Sequence, residues 1–135
     1  MAIFSILNKY NNVGLLLMRI GLGVMMIVHG LPKLMGGIDK WEKVGSAMSH
    51  VGISFYPAAW GLSAALAESV GGVLIFLGLA FRPACIFLLF TMIIAAAMHL
   101  ASGDGLLGAS HPIELGFVFL GLLFVGPGKY SVDKK

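Results

Sequence analysis

Four ionisable residues sit within apolar stretches of this sequence, each in a different stretch: His29, Glu68, His99 and Glu114. Imidazoles and carboxylates exchange protons, and in a hydrocarbon setting each must face water, find a partner or carry its proton. Glu68 is the most demanding, being the single charge in residues 60–80, WGLSAALAESVGGVLIFLGLA. A helical rise of about 1.5 Å per residue puts it about 12 Å below the start of that run. Arg19 is a fifth candidate, inside the first apolar run. Its long side chain reaches either towards Glu68, where it would fix the carboxylate, or back to the headgroups.

A quinone-type molecule needs an apolar slot for its ring, with donors and a proton exchanger at its oxygens. Glu68, His29 and Arg19 are therefore the candidate catalytic residues, and His29, Glu68, His99 and Glu114 the candidate cofactor contacts. Met25, Met26, Phe55, Trp60 and Phe87 are candidate walls, although such residues are more often ordinary packing. Each polar residue also has an ordinary role: His29 and His99 near headgroups, Glu114 at a helix N-terminus that favours negative charge. No metal site is expected, because HxxxH, CxxC and Glu-x-x-His spacings are all missing from the sequence. A haem between His29 and His99 needs both rings across one gap and ranks equally low.

The elements that must position these groups follow from composition. Of 135 residues, 59% are hydrophobic and 11% charged, too few charges to cover a water-soluble surface. The fold class is all-α integral membrane: a single domain, residues 1–135, forming a bundle of four transmembrane helices at about 13–31, 60–80, 84–100 and 112–125. Pro32 ends the first, the FRP link makes the second and third antiparallel neighbours, and GPG breaks the fourth. Gly14, Gly21 and Gly23 allow close helix contact and a homo-oligomer. Between the first two spans, IDKWEKVGSAMSH reads as a short interfacial helix with Ile38, Trp41, Gly45 and Met48 near one face. Ile3, Phe4, Ile6 and Leu7 suit the membrane surface, and no cleavable signal peptide is expected. In helix three, Cys85, Met92 and His99 share a face, with lone Cys85 a buried thiol rather than a disulfide partner.

The net charge of +3 is spread along the chain, which argues against nucleic-acid binding and leaves the lipid bilayer as the first partner. Lys9, Arg82, Lys129, Lys134 and Lys135 gather at the end of the bundle that holds both termini, against Lys33, Lys40 and Lys43 opposite. The positive-inside rule then makes both termini cytoplasmic.

With these features the chain resembles the DoxX family of small four-helix bacterial membrane proteins. The resemblance is carried by LLLMRIGLGVMMIVHGLPKL at 15–34, AESVGGVLIFLGLAFRPA at 67–84 and ELGFVFLGLLFVGPGKYSVD at 114–133, nearly the whole chain in order. It implies a bacterial cytoplasmic (inner) membrane protein, often described as an oxidoreductase or quinone-linked subunit, with some members tied to oxidative or electrophile stress. Arg19, His29, Lys33, Glu68, Gly71 and Gly72 match the family pattern. No flavin, haem or iron–sulfur motif is visible, so a quinone-interacting protein of this kind would draw its electrons from a redox partner protein or from a substrate bound beside the quinone. The alternative is a non-enzymatic scaffold recruiting a soluble partner, or a carrier for a small molecule or proton.

Overall fold

The computed structural model describes residues 3–134; the ends of the 1–135 domain lie outside the described residues. A 3-10 turn, Ser5–Tyr10, leads into α1 (Asn11–Met35), followed by the short α2 (Gly37–Gly45) and a second 3-10 segment, Ser46–Val51. Then come α3 (Pro57–Leu77), α4 (Phe81–Ala101) and α5 (Gly105–Val125), and the described residues contain no strand. Helices α1, α3, α4 and α5 are each long and apolar enough to cross a membrane, and α2 is the short helix expected between the first two spans. This is an all-α, multi-pass membrane bundle. Its core is Met26, Ile75, Phe81, Ala84, Cys85, Leu88, Met92, Phe119 and Leu122, so Cys85 and Met92 share the buried face that their spacing predicts.

The helix bounds differ from the sequence reading for local reasons. Pro32 lies inside α1, which continues to Met35. The Lys33 and Leu34 carbonyls in its last turn both face the Trp41 indole N–H, at 3.1 and 3.3 Å, so the end of the helix is not left bare. Helix α3 starts at Pro57 and stops at Leu77, where Gly78 turns left-handed (φ 68°) and the Leu79 amide returns to the Leu74 carbonyl at 3.0 Å. Helix α5 begins at Gly105, with Pro112 buried inside it. A span from 112 would fall short of the roughly 20 residues a bilayer core requires, and this length requirement outweighs the poor helix propensity of the Gly/Ser stretch.

Glycine sets how closely α1 and α3 pack. A Cβ on Gly23 would lie 2.7 Å from the Gly72 carbonyl oxygen, and one on Gly30 would lie 2.5 Å from the Ser69 amide nitrogen. These contacts fix an antiparallel register, Gly23 opposite Gly72 and Gly30 opposite Glu68 and Ser69. Gly14 and Gly21, also read as contact glycines, have no neighbour near their Cβ positions. Helix α2 is pressed onto the start of α3 in the same way: a Cβ on Gly45 would run into the Pro57 carbonyl, and one on Gly61 into that of Trp41. Of the expected α2 face, Gly45 and Met48 are buried and Trp41 half-buried, while Ile38 is exposed.

The register carries Arg19 to the far end of α3, away from Glu68. Arg19 is 2% exposed and donates to four backbone carbonyls: Ile75 (3.1 Å) and Phe76 (2.9 Å) in the last turn of α3, and Pro127 (3.2 Å) and Tyr130 (2.7 Å) in the terminal segment. A cation suits the negative end of a helix dipole, and of the two α3 carbonyls it takes, that of Ile75 also accepts from the Gly78 amide at 3.2 Å. The reading in which Arg19 fixes the Glu68 carboxylate is thus replaced by a clasp between α1, α3 and the chain end. Asp133 completes the clasp by accepting from the Ala80 and Phe81 amides at 3.1 and 2.9 Å, which starts α4 three residues earlier than expected. Asp133→Ala is expected to cost about 1 kcal/mol, as for loss of a helix cap; SDS-induced unfolding in mild detergent checks this, and an unchanged midpoint would argue against the cap.

Candidate functional site

The residues that converge are Glu68 and Lys33. Glu68 is 3% exposed, on the face of α3 that the α1 glycines approach. Lys33, one turn beyond Gly30, donates to both carboxylate oxygens, at 2.9 and 2.8 Å. The pair is asymmetric, the lysine side chain being 31% exposed and the glutamate 4%. One member is buried in the bundle and the other connects it to the surroundings.

Both residues line a cavity of about 490 Å³ between α3, α4 and the cover made by α2 and the following 3-10 segment. Helices α3 and α4 meet at the tight Gly78–Ala80 turn, and the cavity lies towards their opposite ends. Its walls are mostly apolar: Trp60, Ala64 and Ala67 from α3, and Phe87, Phe90, Ile94 and Met98 from α4. Lys40 and Lys43 join Lys33 on the α2 side. One wall donor is unspent, since Trp60 Nε1 is buried and has no acceptor. A smaller hollow of about 200 Å³ shares Trp60 and Ser63 and adds Phe55 and Tyr56. There Tyr56 holds a left-handed backbone (φ 51°) directly before Pro57, a strained entry to α3.

The other candidates stand apart from this cavity. His29 is exposed and packs on His111 of α5, ring centroids 5.7 Å apart. His99 Nδ1 lies 2.7 Å from an Asp104 carboxylate oxygen at the α4–α5 turn, and Glu114 is exposed on α5. Among the described residues no group of three or more His, Cys, Asp or Glu is placed to hold a metal ion. Of the candidate walls, Trp60 and Phe87 line the main cavity and Phe55 the smaller hollow, whereas Met26 belongs to the core and Met25 is exposed. The family resemblance singles out Lys33, but sequence reasoning did not pair it with Glu68 and left Lys40 and Lys43 to orientation and the wet face of the short helix. A basic residue at the end of a span, with an unpartnered carboxylate in the next, was the signal that could have paired Lys33 with Glu68.

The comparisons with known proteins bear on this same part of the chain. No solved structure matches it significantly. It is 34% identical over 87 residues to a Bacillus subtilis protein provisionally named oxidoreductase CatD, a stretch that is 64% of this chain and 60% of that relative. The match therefore spans less than two thirds of the relative's length. The DoxX family matches residues 14–101, which include Lys33, Glu68 and every residue lining the cavity, and stop before α5. With more than half its length matched in this way, the chain belongs to the DoxX family.

Proposed function

We propose that this protein binds a quinone-type molecule in the cavity beside Glu68 and acts as the membrane subunit of a redox system. The observation that carries the reading is a buried carboxylate, held by a partly exposed ammonium, in the wall of an apolar cavity. The volume is within the range of about 300–1,000 Å³ usual for small-molecule sites. The donor set fits an oxygen-bearing ring: Lys33 offers its ammonium, and a small turn of the Trp60 indole would bring its unspent N–H to a carbonyl oxygen. When bound, a quinone supplies acceptance of electrons and protons. Glu68 holds a proton-exchanging group at the wall, and Lys33 links it to the water at the end of α1. Electrons come from a partner protein, and the oxidoreductase name of CatD points the same way. A part in oxidative or electrophile stress follows if the quinones handled are reactive ones.

The test is to purify the protein in mild detergent, extract it with organic solvent and quantify quinone by mass spectrometry. The wild type is expected to retain about one quinone per site, as a specific pocket would, and the Lys33→Met/Glu68→Met double variant little. Ligand-free wild type, or equal quinone in both proteins, would overturn the reading and favour a scaffold. We further place both termini in the cytoplasm of a bacterial cell, by the positive charge gathered at their end. A C-terminal green fluorescent protein fusion should then fluoresce, and alkaline phosphatase fused after Gly52 should be active; the reverse pattern would invert the orientation.

A further inference from the structure

The cavity carries more positive charge than its ion pair neutralises. Glu68 offsets Lys33, but among the described residues no carboxylate lies within ion-pair distance of Lys40 or Lys43, not even Asp39 or Glu42 on their own helix. Across from them the walls are Phe87, Phe90, Ile94 and Met98. Phe87 and Phe90 are also 64% and 49% exposed on α4, a surface that faces lipid in a membrane. An apolar slot that reaches the bilayer on one side thus ends in a mouth lined by two lysines that have no ion-pair partner among the described residues.

We propose that the ligand of this cavity is an anionic amphiphile, a ring or single chain lying between α3 and α4 with an ionised oxygen acid held by Lys40 and Lys43. This rests on reading the cavity as a ligand site, and it sets the charge of the preferred ligand, whether that is an acidic ring or the head of a lipid. Lys40 and Lys43 are recognition groups, exposed at the mouth, while Lys33 is engaged with Glu68. The same ionised head occurs on a free acidic ring and on a bilayer phospholipid with one chain in the slot.

The test uses the full chain in nanodiscs of zwitterionic phosphatidylcholine and follows quenching of tryptophan emission. Three probes of similar size are titrated: 2-hydroxy-1,4-naphthoquinone, ionised at neutral pH; 2-methyl-1,4-naphthoquinone, neutral; and 2-naphthoate, an anion that is not a quinone. Both anions are expected to bind more tightly than the neutral ring, and Lys40→Gln and Lys43→Gln to weaken them about threefold to fivefold each. The neutral ring should be unaffected by either change, and Lys129→Gln at the opposite end should alter nothing. If added phosphatidylglycerol displaces the anions, the head is a lipid's; if it does not, the ligand is a free acid, and either result upholds the proposal. Equal affinity for the neutral and hydroxylated quinones, or no effect of the lysine substitutions, would overturn it while leaving the quinone site in place. No binding of any probe would remove both.

Discussion

Replacing Arg19 with methionine is expected to destabilise the bundle by about 3 kcal/mol or more, since each buried acceptor stripped of its donor costs about 1–3 kcal/mol. Methionine reproduces the side chain only as far as Nε, so the loss is that of the guanidinium: the space it filled, and its bonds to the carbonyls of Phe76, Pro127 and Tyr130, while the Ile75 carbonyl keeps the Gly78 amide at 3.2 Å. Removing a buried charge returns some desolvation energy, which is why the estimate stays below the sum of the separate bonds. Arg19→Lys should recover only part of the stability, because one ammonium cannot reproduce the planar fork that serves α3 and the terminal segment together. SDS-induced unfolding followed by circular dichroism reads both variants. Wild-type stability in Arg19→Met would show that the clasp is not needed. Ligand content per folded molecule should be unchanged, since the carbonyls that Arg19 binds begin about 10 Å along α3 from Glu68.

The second large effect is an asymmetry within the Lys33–Glu68 pair. Lys33→Met strands a carboxylate that is 4% exposed, and breaking a buried pair in that way costs about 3–5 kcal/mol. Glu68→Met leaves behind a lysine that is already 31% exposed and can turn its ammonium to the headgroups, so about 1 kcal/mol is expected. The double variant should regain most of what Lys33→Met loses, because two apolar side chains of similar length need no partner. Unfolding midpoints of the three variants test this order. All three should lose bound quinone, including the double variant that folds well, and that outcome separates the site's function from its contribution to stability. If Glu68→Met proves the more damaging single change, the burial asymmetry is not what governs the pair.

Much of this architecture is legible in the sequence because bilayer thickness and apolar run length are strong constraints. The four spans, the α3–α4 turn and the short α2 all follow from them. What misleads is local. Pro32 and Pro112 read as boundaries but lie within longer helices, Pro32 just before a turn whose carbonyls Trp41 meets and Pro112 in a span whose length must be completed upstream. The partner of Glu68 was harder to find than its burial. A carboxylate in an apolar run announces that it needs a partner, but whether Arg19 or Lys33 supplies it depends on the α1–α3 register, set by backbone contacts at Gly23, Gly30 and Gly72. Likewise, the alternating direction of the spans puts His29, His99 and Glu114 towards the same end of the bundle as Glu68, but that says nothing of the face each presents. His29 turns to His111, His99 to Asp104, and Glu114 outward.

Photoaffinity labelling with an azido-quinone, followed by peptide mapping, would locate the quinone on the chain. Label is expected on the cavity stretches of α3 around Trp60–Glu68 and of α4 around Phe87–Met98, suppressed by excess unlabelled quinone and missing from the Lys33→Met/Glu68→Met protein. Label scattered over outward-facing positions such as Phe117 and Phe124, without competition and equally in the double variant, would mean that the protein meets quinone only as it meets any lipid.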